Sequence, residues 1–176
     1  VEIVEIRREF LDPDRLKQEL EEIRQEALKN NMILFYSVNE DFFVEGNVNP
    51  DLSIFLKEAK VLGAERVKFN FGIAPTKYSK ELTNKVSEID KESIKINIEN
   101  NQVASSCNIN DMRNFFEFSS KENFSFNFCF DLANWAWTGT SLTEAVDKIG
   151  KYADYIHLKN YHLVNEKLIV TSLCRG

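Results

Sequence analysis

Three residues of this chain combine a reactive side-chain type with a regular position: Glu99, Asp131 and His157. Each lies toward the end of a segment in which polar and apolar residues alternate. The segments are Lys95-Ile96-Asn97-Ile98-Glu99, Asn127-Phe128-Cys129-Phe130-Asp131 and Tyr155-Ile156-His157-Leu158-Lys159. Alternation of period two is the signature of extended chain, so the three residues share the polar face of three successive strands. Two carboxylates and an imidazole are oxygen and nitrogen donors for a divalent ion such as Mn, Mg, Co or Zn, and they can also serve as acid and base. Taken singly, each has an everyday role as well. Asp131 can cap the turn that follows its strand, and His157 can be a satisfied buried histidine.

The elements that must position these residues recur in a fixed order. Strands are expected over residues 1–8, 32–38, 66–71, 94–100, 126–130 and 155–159, with a short extra strand over 168–171. Between them lie helical stripes: Leu16, Leu20, Ile23 and Ala27; Leu52, Phe55, Leu56 and Ala59; Leu82, Val86 and Ile89; a segment over 110–120; and Ala145, Val146 and Ile149. Asp12-Pro13 and Asn49-Pro50 read as helix starts, Gly63 as a stop, and Ser141-Leu-Thr-Glu144 as a capping box. Six βα units of this kind imply parallel strands joined by helical crossovers in one α/β domain over 1–176. A doubly wound sheet covers both strand faces with helices and makes both apolar. Here one face is polar, with Lys68 and Asn70 continuing the series, and the other carries Val67, Phe69 and Phe71, the isoleucines and the phenylalanines. That favours a (β/α) TIM-type barrel with the polar face turned into its lumen.

Composition narrows the field. A chain that is 43% hydrophobic and 28% charged, with a net charge of −6, is a folded domain. No basic run supports a nucleic-acid partner, and no apolar run is long enough to cross a membrane. Cys107, Cys129 and Cys174 are odd in number and lack metal-type spacing, which fits reduced thiols in a cytoplasmic protein. The chain opens on Val1, inside a strand, as a fragment or processed form would.

Ile98-Glu-Asn-Asn101, Phe130-Asp-Leu-Ala-Asn134 and Tyr155-Ile-His-Leu-Lys-Asn160 resemble the fifth, sixth and seventh strand ends of the xylose-isomerase-like TIM barrels, the sugar-phosphate isomerase/epimerase group related in fold to endonuclease IV. Val4-Glu-Ile-Arg7 is similar to that family's second strand, and Leu62 to Phe69 to its approach to the fourth. The resemblance covers the whole chain and implies a barrel that lacks its first and last strands here. It implies a divalent metal on Glu99, Asp131 and His157, joined by a carboxylate from an eighth strand. It further implies that Glu99 moves the proton on the carbon next to a sugar carbonyl, through an enediolate. The partner it implies is a small-molecule sugar or sugar phosphate; self-association into a homo-oligomer is left open.

Lys68, Asn70, Asn101 and Lys159 are then candidates for hydroxyl or phosphate contacts, and Trp137 for stacking on a sugar face. Asn134 stands where relatives carry histidine, and Asn160 where they carry aspartate. An amide can bond a hydroxyl but cannot shuttle a proton at neutral pH. These departures sustain a second reading, a non-catalytic sugar- or partner-binding domain. An endonuclease-IV-type nuclease is a third, opposed by the acidic balance and the two histidines, His157 and His162. Arg7 and Arg8 can grip an anion or form surface ion pairs. Lys95 is expected deep in the lumen as a balance for carboxylates, and 40–45 as a mobile cover.

Overall fold

The computed structural model describes residues 2–175. Its framework is β1 (Ile3–Arg7), α1 (Leu16–Lys29), β2 (Ile33–Val44), a short β3 (Asn47–Val48), α2 (Leu52–Leu62), β4 (Arg66–Gly72), α3 (Lys80–Asp90), β5 (Lys95–Glu99), α4 (Ile109–Lys121) and β6 (Asn127–Asp131). A one-turn α5 (Trp135–Thr138), α6 (Leu142–Ile149), β7 (Ala153–His157) and a hairpin of β8 (Asn160–Val164) and β9 (Lys167–Thr171) complete it. Strands β1, β2, β4, β5, β6 and β7 are parallel neighbours in that order, and β3 folds back on β2. The sheet of six parallel strands curls into a half-barrel with the helices between them. No helix among the described residues is long and apolar enough to cross a membrane.

The apolar strand faces carry the core. Val67, Phe69, Phe71, Ile96, Ile98, Phe128 and Phe130 are all buried beneath the helices. Phe115 of α4 sits at the centre of an aromatic cluster, with ring centroids 5.3 to 5.9 Å from Phe42, Phe43, Phe71 and Phe126. Edge-on and tilted pairs of this kind suit the quadrupoles of the rings. The covering stops at β7, where Ile156 and Leu158 are 57% and 64% exposed.

Local signals hold in part. Gly63 ends α2 in the left-handed region at φ 72°, and Ser141 Oγ accepts from the Glu144 amide. The aspartate and asparagine before the prolines act one turn early. Asp12 Oδ1 accepts from the Asp14 amide and Asn49 Oδ1 from the Asp51 amide, and the helices begin at Leu16 and Leu52. Each asparagine or aspartate shapes a turn that leads into its helix rather than capping it.

Two expectations are corrected. Residues 40–45 are no mobile cover: β2 runs on to Val44, and Phe42 and Phe43 are fully buried. A shift of register between Ser37 and Asp41 breaks the alternation there, and a strand that continues past such an irregularity looks like a loop in sequence. Lys95 lies at the solvent end of β5, 3.5 Å from Glu65, not deep in the lumen. The short extra strand expected over 168–171 is present as β9, one half of a hairpin closed by Asn165 and Glu166, both at positive φ.

Candidate functional site

The polar strand faces line the lumen in three levels. The floor is filled. The Arg66 guanidinium lies 4.7 Å above the Phe35 ring and bonds Asn97 Oδ1 at 3.2 Å and Asp154 Oδ2 at 3.0 Å. Tyr155 packs edge-on against Phe35. The open space lies instead at the C-terminal ends of the strands. There an open cleft of about 1050 Å³ is lined by Glu5, Asn39, Lys68, Asn70, Glu99, Asn101, Asp131, Asn134, His157 and Lys159, among others.

The middle level is a charged chain. Lys68 Nζ donates to Glu99 Oε2. Glu99 Oε1 lies 2.6 Å from His157 Nδ1, and His157 Nε2 lies 3.2 Å from Glu5 Oε2. Tyr155 Oη donates to that same Glu5 oxygen at 2.8 Å. Cys129 Sγ is 4.0 Å from Glu99 Oε1. Burial favours the neutral acid at Glu99, but the bonds from His157 and Lys68 prevail and hold its carboxyl down at about 2. Burial also opposes charge on His157, yet its contacts with Cys129, Glu5 and Glu99 raise it well above the ordinary imidazole value. An imidazolium between two carboxylates, with both ring nitrogens donating, follows. The Cys129 thiol is pushed up by burial to about 11, with His157 opposing.

The rim is organised by Asp131, which is 1% exposed. Its Oδ1 accepts from the backbone amides of Ala133 at 3.0 Å and Asn134 at 2.9 Å, and its Oδ2 lies 2.9 Å from Lys159 Nζ. Lys159 also donates to Asn134 Oδ1 at 2.8 Å, and Asn134 Nδ2 donates to the Asn100 carbonyl at 2.7 Å. Asn100 closes the circuit: its Oδ1 accepts from the Asp131 amide and its Nδ2 donates to the Asp131 carbonyl, both at 2.9 Å. The segment after β6 is thus held by a carboxylate folded onto its own backbone.

The structure brings Glu99 and His157 into contact and sets Asp131 apart from them in its bonding. In the strand register Asp131 is paired with His157, whereas Glu99 is paired with Cys129, one residue pair deeper. Asn70 donates to Asn39, and Asn101 exchanges bonds with Ser106 and the Val103 amide at the cleft wall. Trp137 packs edge-on against Tyr161 of β8, and Trp135 is a core residue beside Phe130. Arg7 lines the cleft and pairs with Glu9, while Arg8 forms a two-pronged pair with Glu58. Sequence reasoning passed over Glu5, Cys129 and Asn100. Glu5 carried the same in-phase signal as Glu99 within Val4-Glu-Ile-Arg7. Asn100 left no signal in the alternation, since it follows the last residue of β5.

The donor set suits a divalent ion. Glu99, Cys129 and His157 each present one ligand atom, and these atoms lie within 4.8 Å of one another. A carboxylate, a thiolate and an imidazole are all established zinc ligands.

No family model matches the chain, and no curated protein matches it. Solved structures do. A xylose isomerase domain protein from Planctomyces limnophilus superposes with a TM-score of 0.63 at 14% identity, over 94% of this chain and 66% of its own. IolI, crystallised with a zinc atom, gives a TM-score of 0.60 at 17% identity over 92% and 64%. L-ribulose 3-epimerase gives 0.59 at 13% over 89% and 59%. The fold is therefore that of the xylose-isomerase-like TIM barrels, in partial form. The chain spans about two thirds of the length of these structures.

Proposed function

We propose that the protein is a metal-dependent sugar or sugar-phosphate isomerase/epimerase that transfers a proton next to a carbonyl. One observation carries this reading: Glu99 and His157, from separate strands, meet at 2.6 Å in the wall of a polar cleft at the C-terminal ends of parallel strands. Neighbours of the same fold include named sugar epimerases. Glu99 and His157 would hold the ion, with the third ligand drawn from Asp131 or Cys129. A divalent ion there supplies Lewis-acid polarisation of a substrate oxygen.

This chain's own residues do the rest. Glu99 receives the substrate proton, and Lys68 and His157 fix its orientation. Asn70, Asn101 and Lys159 line the cleft as hydroxyl or phosphate contacts, and Asn134 holds Lys159 toward that space. Trp137 stacks on sugar only if the β8–β9 hairpin shifts, since Tyr161 covers it. The free thiols of Cys107, Cys129 and Cys174 suit a reducing, cytoplasmic setting.

Deuterium exchange tests the reading. A panel of ketoses and their phosphates incubated with the protein in D2O should gain deuterium next to the carbonyl. The exchange should stop with a chelator and in Glu99→Gln. No exchange in any ketose, with no bindable divalent ion, would sink it.

A second reading has its own observation. Lys68 already pairs with Glu99, and Lys159 with Asp131, so each of these carboxylates has a counter-ion without a metal. That is what a non-catalytic sugar-binding domain on this fold would show. Sugar affinity by calorimetry that is unchanged by chelator would select it over the first.

A further inference from the structure

We infer that Glu5 is a positioning residue of this site: it holds the Nε2 proton of His157 and so fixes the imidazole with Nδ1 as the atom presented to an ion. The inference rests on the metal-dependent reading above. Three observations support it.

The first is how the ring is gripped. His157 Nε2 lies 3.2 Å from Glu5 Oε2, and Nδ1 lies 2.6 Å from Glu99 Oε1. The two nitrogens leave the ring in different directions, so a carboxylate on each sets both its plane and its tilt. An ion can take the place of a proton on one nitrogen only if the other keeps its hydrogen bond. The carboxylate left on that second nitrogen then orients the ring and makes the ligating nitrogen more basic.

The second is the difference between the two sides of the ring. On the Nδ1 side stand Glu99 and Cys129, whose donor atoms lie within 4.8 Å of each other and of the imidazole. Asp131 is paired with His157 in the strand register. On the Nε2 side, Glu5 belongs to no such set of three histidine, cysteine or carboxylate donors among the described residues. One side is therefore furnished to hold an ion and the other to hold a proton.

The third is that Glu5 is itself held. Tyr155 Oη donates to the same Oε2 atom at 2.8 Å. The Tyr155 ring packs edge-on against Phe35, with centroids 5.2 Å apart, and against the His157 ring at 4.8 Å. Phe35 is buried in β2, so the carboxylate is referred back to the core through a rigid phenol. A carboxylate that only balanced charge at the surface would need no such support.

Nitrogen-15 spectra of the imidazoles test this without any assay of turnover. The chain has two histidines, and His162 serves as the internal reference for His157. In the zinc-loaded protein, Nδ1 of His157 should carry the shift of a metal-bound nitrogen. Nε2 should stay protonated, with a downfield proton that exchanges slowly. In Glu5→Ala that proton should be lost to rapid exchange, and zinc affinity, measured by competition with a chromophoric chelator, should fall roughly 10–100-fold. Glu5→Gln retains an acceptor oxygen and should restore the proton signal and most of the affinity, which a general loss of packing would not do. If Glu5→Ala does not fold, the spectrum of the unmodified protein still decides. Zinc on Nε2 with the proton on Nδ1 overturns the inference and leaves the metal-dependent reading standing, as does a Glu5→Ala protein with unchanged proton exchange and affinity. Failure to bind zinc or any other divalent ion overturns both.

Discussion

Glu99 and Asp131 end neighbouring strands in the same alternating pattern, and the molecule uses them in opposite ways. Glu99 is bonded to side chains alone, from β4, β6 and β7, and its oxygens meet a lysine, a thiol and a histidine. Asp131 is bonded to the backbone of its own turn and to one lysine at the rim. A carboxylate held by mobile side chains can exchange those partners for a ligand. One that satisfies buried backbone amides cannot leave without orphaning them. Two residues that share a phase in sequence thus differ in what their oxygens hold: side chains at Glu99, the turn's own backbone and a lysine at Asp131.

The contrast can be broken most forcefully at Asp131. Asp131→Ala should lower the unfolding free energy by about 3–5 kcal/mol, because it orphans two buried amides and a paired lysine. Urea denaturation reads the loss. Divalent-ion binding by the folded fraction then shows whether Asp131 is also the third ligand: binding that survives assigns that place to Cys129, and binding that is lost assigns it to Asp131. Next in size, Glu99→Gln should keep the fold but lower zinc affinity at least about 100-fold, or some 2.7 kcal/mol. Chelator competition measures that.

Acidity offers a gentler probe. The carboxyl of Glu99, held at about 2 against an ordinary 4.5, adds stability that is complete above about pH 4.5 and lost as pH falls toward 2. His157, raised above its ordinary 6.5, adds stability that is complete below that value and lost as pH rises toward its folded value. The metal-free protein should therefore draw most from this cluster between about pH 4.5 and 6.5. Denaturation across pH should show a decline on the alkaline side that disappears in His157→Asn. The smallest effect belongs to Asn134. Asn134→Ala should cost about 1–2 kcal/mol by freeing Lys159 and the Asn100 carbonyl, with zinc affinity nearly unchanged.

Much of the frame was legible because alternation reports which way a side chain points. Phe128 and Phe130 face the helices, and Glu99 and His157 face the lumen, as their phase requires. Alternation does not report what covers a face. Ile156 and Leu158 share the phase of Phe128 and Phe130 yet stand in the open. Nor does it reveal a bulge, which is why the buried Phe42 and Phe43 read as a loop. At the site, phase pointed to Glu99, Asp131 and His157 alike but could not show that Asp131 also accepts from the Ala133 and Asn134 amides, a matter of turn geometry. Glu5 required knowledge of how far the sheet curls.

That curl gives Glu5 a second consequence. Its carboxylate spans from β1 to Tyr155 and His157 of β7, the two edge strands of the sheet. It works as a tie rod across an open arch. The spacing of the first and last strands thus rests on the side-chain bonds of one carboxylate as well as on the sheet between them.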